Sequence, residues 1–206
     1  MIEWLFIGAA GVVSYGIYRH RTVNRRAELI ENYEFPDTIA RKIMARYPHL
    51  DETETAQILQ GLREYFQVCN VAGRRMVSMP SQAVDVAWHE FILFTRKYQK
   101  FCDQALGRFL HHTPAEAMAA PTQAQTGIKR AWRIACAREK INPKQPERLP
   151  LLFGLDVELN IADGFRYTLN CNPSGADGFC AGDISCSSGC AGDSGGDGCG
   201  GGCGGD

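Results

Sequence analysis

The chain has 206 residues, room for one ordinary domain with appendages, and carries a net charge of −1 at neutral pH. That total divides unevenly: residues 171–206 hold five aspartates and no basic residue, a charge of −5, which leaves +4 on residues 1–170. So mild a positive charge argues against a nucleic-acid-binding surface. Nine cysteines, an odd number with six in the last 36 residues, argue against the disulfide framework of a small secreted domain.

The first segment, residues 2–18, reads IEWLFIGAAGVVSYGIY with Glu3 as its only charge, and Arg19, His20, Arg21, Arg25 and Arg26 follow. Ile2, Leu5, Phe6, Ile7, Val12, Val13 and Ile17 together favour insertion by about 2 to 4 kcal/mol, and Trp4, Tyr15 and Tyr18 suit the interfaces. The expectation is a transmembrane anchor over residues 1–22 that contacts the membrane through residues 2–18. A cleavable signal peptide places its positive charge before the apolar run, and here the charge comes after it. The charge bias then sets the amino terminus outside and the remainder in the cytoplasm, where thiols stay reduced. A buried or interfacial helix is the competing reading.

Residues 23–170 read as a compact helical bundle. Pro36-Asp37 opens a short helix with Asp37 as its N-cap, closing near Tyr47-Pro48. Asp51-Glu52 opens a second, with Ile58, Leu59, Leu62, Tyr65, Phe66 and Cys69 on one face and an end near Gly73. Pro80-Ser81 opens the longest, whose stripe of Val84, Trp88, Phe91, Phe94, Tyr98, Phe101 and Ala105 steps by threes and fours until Gly107. Thr113-Pro114-Ala115-Glu116 has the form of a capped helix start, closed by Pro121. Another helix covers about 122–140, and three prolines make 142–150 a loop. A last short helix spans about 151–159, and Phe165 to Leu169 forms an extended edge. The fold class expected is all-α with at most minor β. Cys69, Cys102 and Cys136 fall in apolar helical patterns and read as small buried hydrophobes. From 171 to 206 glycine and small polar residues cannot bury enough surface to offset ordering, so a disordered Gly/Cys-rich tail is expected.

Chemistry concentrates in Pro80-Ser81-Gln82-Ala83-Val84-Asp85-Val86-Ala87-Trp88-His89-Glu90-Phe91, followed by His111-His112-Thr113-Pro114. Asp85 and His89 are one helical turn apart, so the carboxylate can orient the imidazole. If the His111-His112 loop folds back beside that turn, imidazoles and a carboxylate converge in a set that suits a divalent metal such as zinc, with Glu90 as a base or fourth ligand. The plainer alternative is a hydrogen-bond network that pins the helix to the loop, with Trp88 as core. The tail offers a second candidate: Cys186-x3-Cys190 and Cys199-x3-Cys203, preceded by Cys171 and Cys180, have soft-metal spacing but little to order them. No nucleophile elbow and no phosphate loop is present.

The Asp-x-x-Trp-His string, the downstream aromatic, glycine and histidine turn, and the glycine-rich end resemble the glycine-rich domain-containing protein family. The resemblance covers residues 78–114 and the carboxyl end, and it implies no particular reaction. Relatives often carry Trp-His-x-His, whereas Phe91 stands at the second histidine position here. Taken together, the first expectation is a membrane-anchored, non-enzymatic interaction or scaffold module whose thiol-rich tail meets a protein partner. The rivals are a metal-dependent enzyme centred on Asp85, His89, His111 and His112, and metal binding by the tail cysteines.

Overall fold

The computed structural model describes residues 2–112, 121–169, 179–180 and 184. Its helices are α1 (Ile2–Glu31), α2 (Asp37–Arg46), α3 (Glu52–Ala72), α4 (Gln82–Leu93), α5 (Thr95–Phe101), α6 (Pro121–Arg138) and α7 (Leu151–Glu158). A single π turn (Cys102–Leu106) continues α5, and two-residue strands β1 (Tyr167–Thr168) and β2 (Phe179–Cys180) pair in parallel. The described protein is therefore mostly helical with almost no strand, as the periodicity indicates.

Helix α3 is the axis: α1, α2, α4, α6, α7 and the π turn all pack on it. Its start is a capping box, in which Asp51 accepts from the Glu54 amide and Glu54 accepts from the Asp51 amide. Those two bonds satisfy donors that every helix leaves unpaired at its amino end. Its finish is Gly73, whose φ of 65° is cheap only without a Cβ. In between, Ile58, Leu62, Phe66 and Val68 are fully buried. Gly61 lets α4 and α7 close on this axis, since a Cβ there would sit 2.8 Å from Val84 and 3.0 Å from Leu155.

Two expectations about elements change. Helix α2 is capped by Pro36 and Asp37 is its first residue, because the Pro36 carbonyl already accepts from the Ile39 amide. The long helix expected from Ser81 to Gly107 is broken at Phe94, whose ψ of 57° interrupts the ladder and turns the chain into α5. That break, with the added residue of the π turn, keeps Phe91, Tyr98, Phe101 and Cys102 on the core side of a path a straight helix would carry away from it. Gly107 ends the path in the left-handed conformation, as expected. The helix start expected at residues 113–116 lies outside the described residues.

The transmembrane anchor is corrected as well. No described helix is long and apolar enough to cross a membrane. Although α1 is 30 residues long, its apolar part is the 17 residues 2–18, diluted by Glu3, Gly8, Gly11, Ser14 and Gly16, against the roughly 20 a span requires. The orientation inferred from the arginines presupposes such a span. The carboxyl half of α1 belongs to the body: Ile30 is in the core, and Gln67 and Asn70 of α3 donate to the Ala27 and Val23 carbonyls. Residues 13–21 are exposed.

Within the stretch read as a disordered tail, β2 pairs with β1, and Ile184 is buried in the core cluster. Of the tail cysteines, Cys180 lies in β2, and Cys171, Cys186, Cys190, Cys199 and Cys203 lie outside the described residues. Cys69, Cys102 and Cys136 are buried and unpaired with one another, the packing role their positions suggest.

Two outcomes follow from this core. Gly61→Leu drives a side chain into Val84 and Leu155 and costs about 3 kcal/mol in urea denaturation. Burial pushes the Cys69 thiol up to about 12 and the Cys136 thiol up to about 11, from an ordinary value of 9.0. The folded state therefore keeps these thiols protonated after the unfolded chain has begun to release them. Their contribution to stability is complete below pH 9 and is lost as pH rises through 11 and 12. Urea midpoints measured from pH 8 to 11 will fall with pH, and Cys69→Ala will flatten the fall.

Candidate metal centre

Helix α4 is held at its start by two side chains. Ser81 Oγ accepts from the Val84 amide at 3.2 Å and donates to Asp156 Oδ1 at 2.6 Å. Asp156, on α7, also accepts from the Gln82 amide at 2.7 Å and the Ala83 amide at 3.2 Å. One carboxylate thus takes up the orphan donors of the first turn and complements its positive end. With the start fixed, α4 buries Val84, Ala87, Trp88 and Phe91 and leaves Asp85 and His89 on its outer side.

The third member of the site arrives from the loop after the π turn. Trp88 Nε1 donates to the Tyr98 hydroxyl at 3.0 Å, and that hydroxyl donates to the Leu110 carbonyl at 2.5 Å. This buried chain ties α4, α5 and the loop together, and Phe109 packs edge-on against Tyr98 at 5.4 Å. The loop then delivers His112 beside α4, where its ring meets Trp88 edge-on at 4.7 Å and lies 4.1 Å from the His89 ring.

Asp85 stands between the two histidines. Its Oδ1 is 3.0 Å from His112 Nε2 and its Oδ2 is 3.2 Å from His89 Nδ1, which also lies 3.0 Å from the Asp85 carbonyl oxygen. One ligand atom from each residue lies within 4.8 Å of the others. A tetrahedral ion with bonds of about 2.0 to 2.1 Å holds its ligand atoms roughly 3.3 Å apart, so the carboxylate is already near ligand spacing from each imidazole. Asp85 and His112 are mostly buried and His89 is half exposed. All three line a cavity of about 720 Å³ that opens to solvent.

The other residues singled out from the sequence fall elsewhere. Trp88 is buried core and holds the loop. Glu90 is half-buried and stands outside the three-residue group. His111 is exposed and packs edge-on against Phe109 at 4.7 Å; it lines the cavity but does not join Asp85, His89 and His112. Phe91 is fully buried among Phe35, Phe66, Tyr98 and Phe101, so its position faces the core and a histidine there would not reach the group. Sequence reasoning missed Asp156 and the arginines of the cavity wall, Arg74, Arg75 and Arg108. No local signal marks them, because each acts across a long sequence separation or through the shape of the cleft.

The sequence matches the UCP032817-like family over residues 25–191, most of the chain, and the protein belongs to that family. This corrects the resemblance to the glycine-rich domain-containing protein family. The shared string is short: within it Trp88 faces the core, and Asp85 lies one turn before His89 on the outer side. Glycine content adds little that is specific. No curated protein and no solved structure matches the chain significantly.

Tyr98→Phe removes the hydroxyl that joins Trp88 to Leu110. Two buried polar groups lose their partner, at a cost of about 1 to 3 kcal/mol in chemical denaturation. The His112 ring protons will also lose part of the ring-current shift that Trp88 imposes, which NMR of the folded variant reads directly.

Proposed function

We propose that this member of the UCP032817-like family is a metal-dependent enzyme whose divalent ion is held by Asp85, His89 and His112. The observation that carries the reading is the convergence of those three ligand atoms at the edge of an open cavity. Structural zinc sites close four protein ligands around the ion, whereas catalytic sites use three and keep a position for water or substrate. Two imidazoles and a carboxylate suit zinc, and they serve other first-row divalent ions as well.

Asp85, His89 and His112 would hold the ion, which would supply Lewis-acid activation of water near neutral pH. The reaction class that fits is hydrolysis. Asp85 supplies the negative charge that offsets the ion, and Trp88 and Tyr98 keep His112 in reach by fixing the loop. Groups behind a ligand that fix its position in this way set its orientation in metal sites. The interaction-module reading rests on the anchor, the missing catalytic motifs and the tail; the grouping of Asp85, His89 and His112 favours the enzyme.

Cobalt(II) titration of the full-length protein tests this. Binding of one equivalent with ligand-field bands and no thiolate charge-transfer band is expected, and His112→Ala and Asp85→Asn should each weaken it by about 100-fold or more. Cobalt bound only with thiolate bands would move the metal to the tail cysteines. Absence of binding, or full retention in His112→Ala, would remove the proposed centre.

A further inference from the structure

The wall of the same cavity carries a second chemistry. Arg74, Arg75 and Arg108 line it, with Asp85 as the only acidic residue among the described lining side chains. Two of these arginines are fixed by their Nε atoms: Arg75 donates to the Ala72 carbonyl at 3.2 Å and Arg108 to the Gly73 carbonyl at 3.0 Å. The first carbonyl ends α3 and also accepts from the Arg75 amide, and the second belongs to the Gly73 cap. The Nε bonds hold the two guanidinium groups in place and leave their terminal nitrogens as donors. Arg74, beside them, is exposed.

Part of the remaining surface is apolar. Met76 and Phe165, each more than a third exposed, face the cavity together with Ile128. Large apolar side chains left open beside a row of guanidinium groups make a surface with two demands, an anion at one side and an apolar body at the other. A volume of about 720 Å³ lies within the usual range for small-molecule sites.

We infer that the cleft binds a small phosphorylated molecule with an apolar or aromatic body. Its phosphate is met by Arg74, Arg75 and Arg108, and its body lies on Met76, Ile128 and Phe165. A phosphate monoester carries close to two negative charges and three acceptor oxygens, matched by several guanidinium groups and a divalent ion better than a single carboxylate would be. The inference rests on the metal centre for the chemistry performed on this ligand, while the arginine contacts stand on their own geometry.

Isothermal titration of the full-length protein with phenylphosphonate, which cannot be hydrolysed as an ester, separates the two claims. It is run on metal-free and on cobalt-loaded protein, with metal binding read beforehand from the cobalt spectrum. Phenylphosphonate should bind in both forms, more tightly in the loaded one, and more tightly than inorganic phosphate or benzoate in each. Arg74→Gln, an exposed position whose change leaves the core untouched, should weaken it about tenfold with cobalt affinity unchanged. Arg75→Gln should do the same. Arginine-dependent binding in a protein that takes up no cobalt would support the anion site and overturn the metal centre alone. The anion inference is overturned if cobalt binds and phenylphosphonate does not, if both arginine variants bind it normally, or if benzoate binds as well as phenylphosphonate.

Discussion

The carboxylate of Asp156 is the constraint on which the rest of the site depends. It is almost wholly buried and accepts from the Ser81 hydroxyl, from the Gln82 and Ala83 amides, and from the Phe165 amide at 2.9 Å. A charge removed from water is tolerated only when its lone pairs are taken up, and here four donors from two separate segments do so. The result is a three-way junction between α7, the start of α4 and the stretch leading to β1. Because α4 begins there, the junction sets where along its axis Asp85 and His89 emerge. Because Phe165 is held there too, the same carboxylate places one apolar wall of the cleft.

The opposite end of the site is set by aromatic packing. Phe91 meets Tyr33, Phe35, Tyr98 and Phe101 at centroid distances of 5.2 to 5.5 Å, with planes strongly inclined, the arrangement ring quadrupoles favour. A single straight helix could not present Phe91 and Phe101 to one cluster while also returning the chain to His112. The break at Phe94 and the π turn reconcile the two requirements. The cost of interrupting a helical ladder is met by burial of Tyr98, Phe101, Cys102 and Ala105. Irregular helical geometry and the candidate site are thus two results of one packing solution.

What was legible in the sequence follows from the range of the interactions involved. The helix start at Asp51-Glu52, the helix ends at Gly73 and Gly107, and the i, i+4 pairing of Asp85 with His89 are all local, and local spacing announces them. His112 was suggested only because a turn lay nearby; its approach to Asp85 depends on the hydroxyl of Tyr98, whose spacing shows burial and says nothing about its hydrogen bonds. His111 and His112 were indistinguishable in sequence, and the loop's direction after Leu110 separates them, turning one onto α4 and the other onto Phe109. Asp156 was invisible, since its partners lie some 75 positions earlier and no periodicity links a residue of α7 to the first turn of α4. The first segment was misjudged for a different reason. Summed apolar preference favours insertion, yet its apolar length falls short of a bilayer and its interior glycines and serine lower the mean.

Helix α1 is packed on the body toward its carboxyl end, and residues 13–21 before that part are exposed. Starting a helix is costly and extending one is cheap, because each added residue gains a hydrogen bond for only two fixed dihedrals. The bonds from Gln67 and Asn70 and the burial of Ile30 supply the costly part at the body. Residues 13–21, exposed among the described residues, then inherit helical form by propagation. Their order is therefore borrowed: it melts before the body unfolds, and it vanishes if the α1–α3 seam opens. Amide exchange along α1 would show that gradient as protection rising from residue 13 toward Ile30.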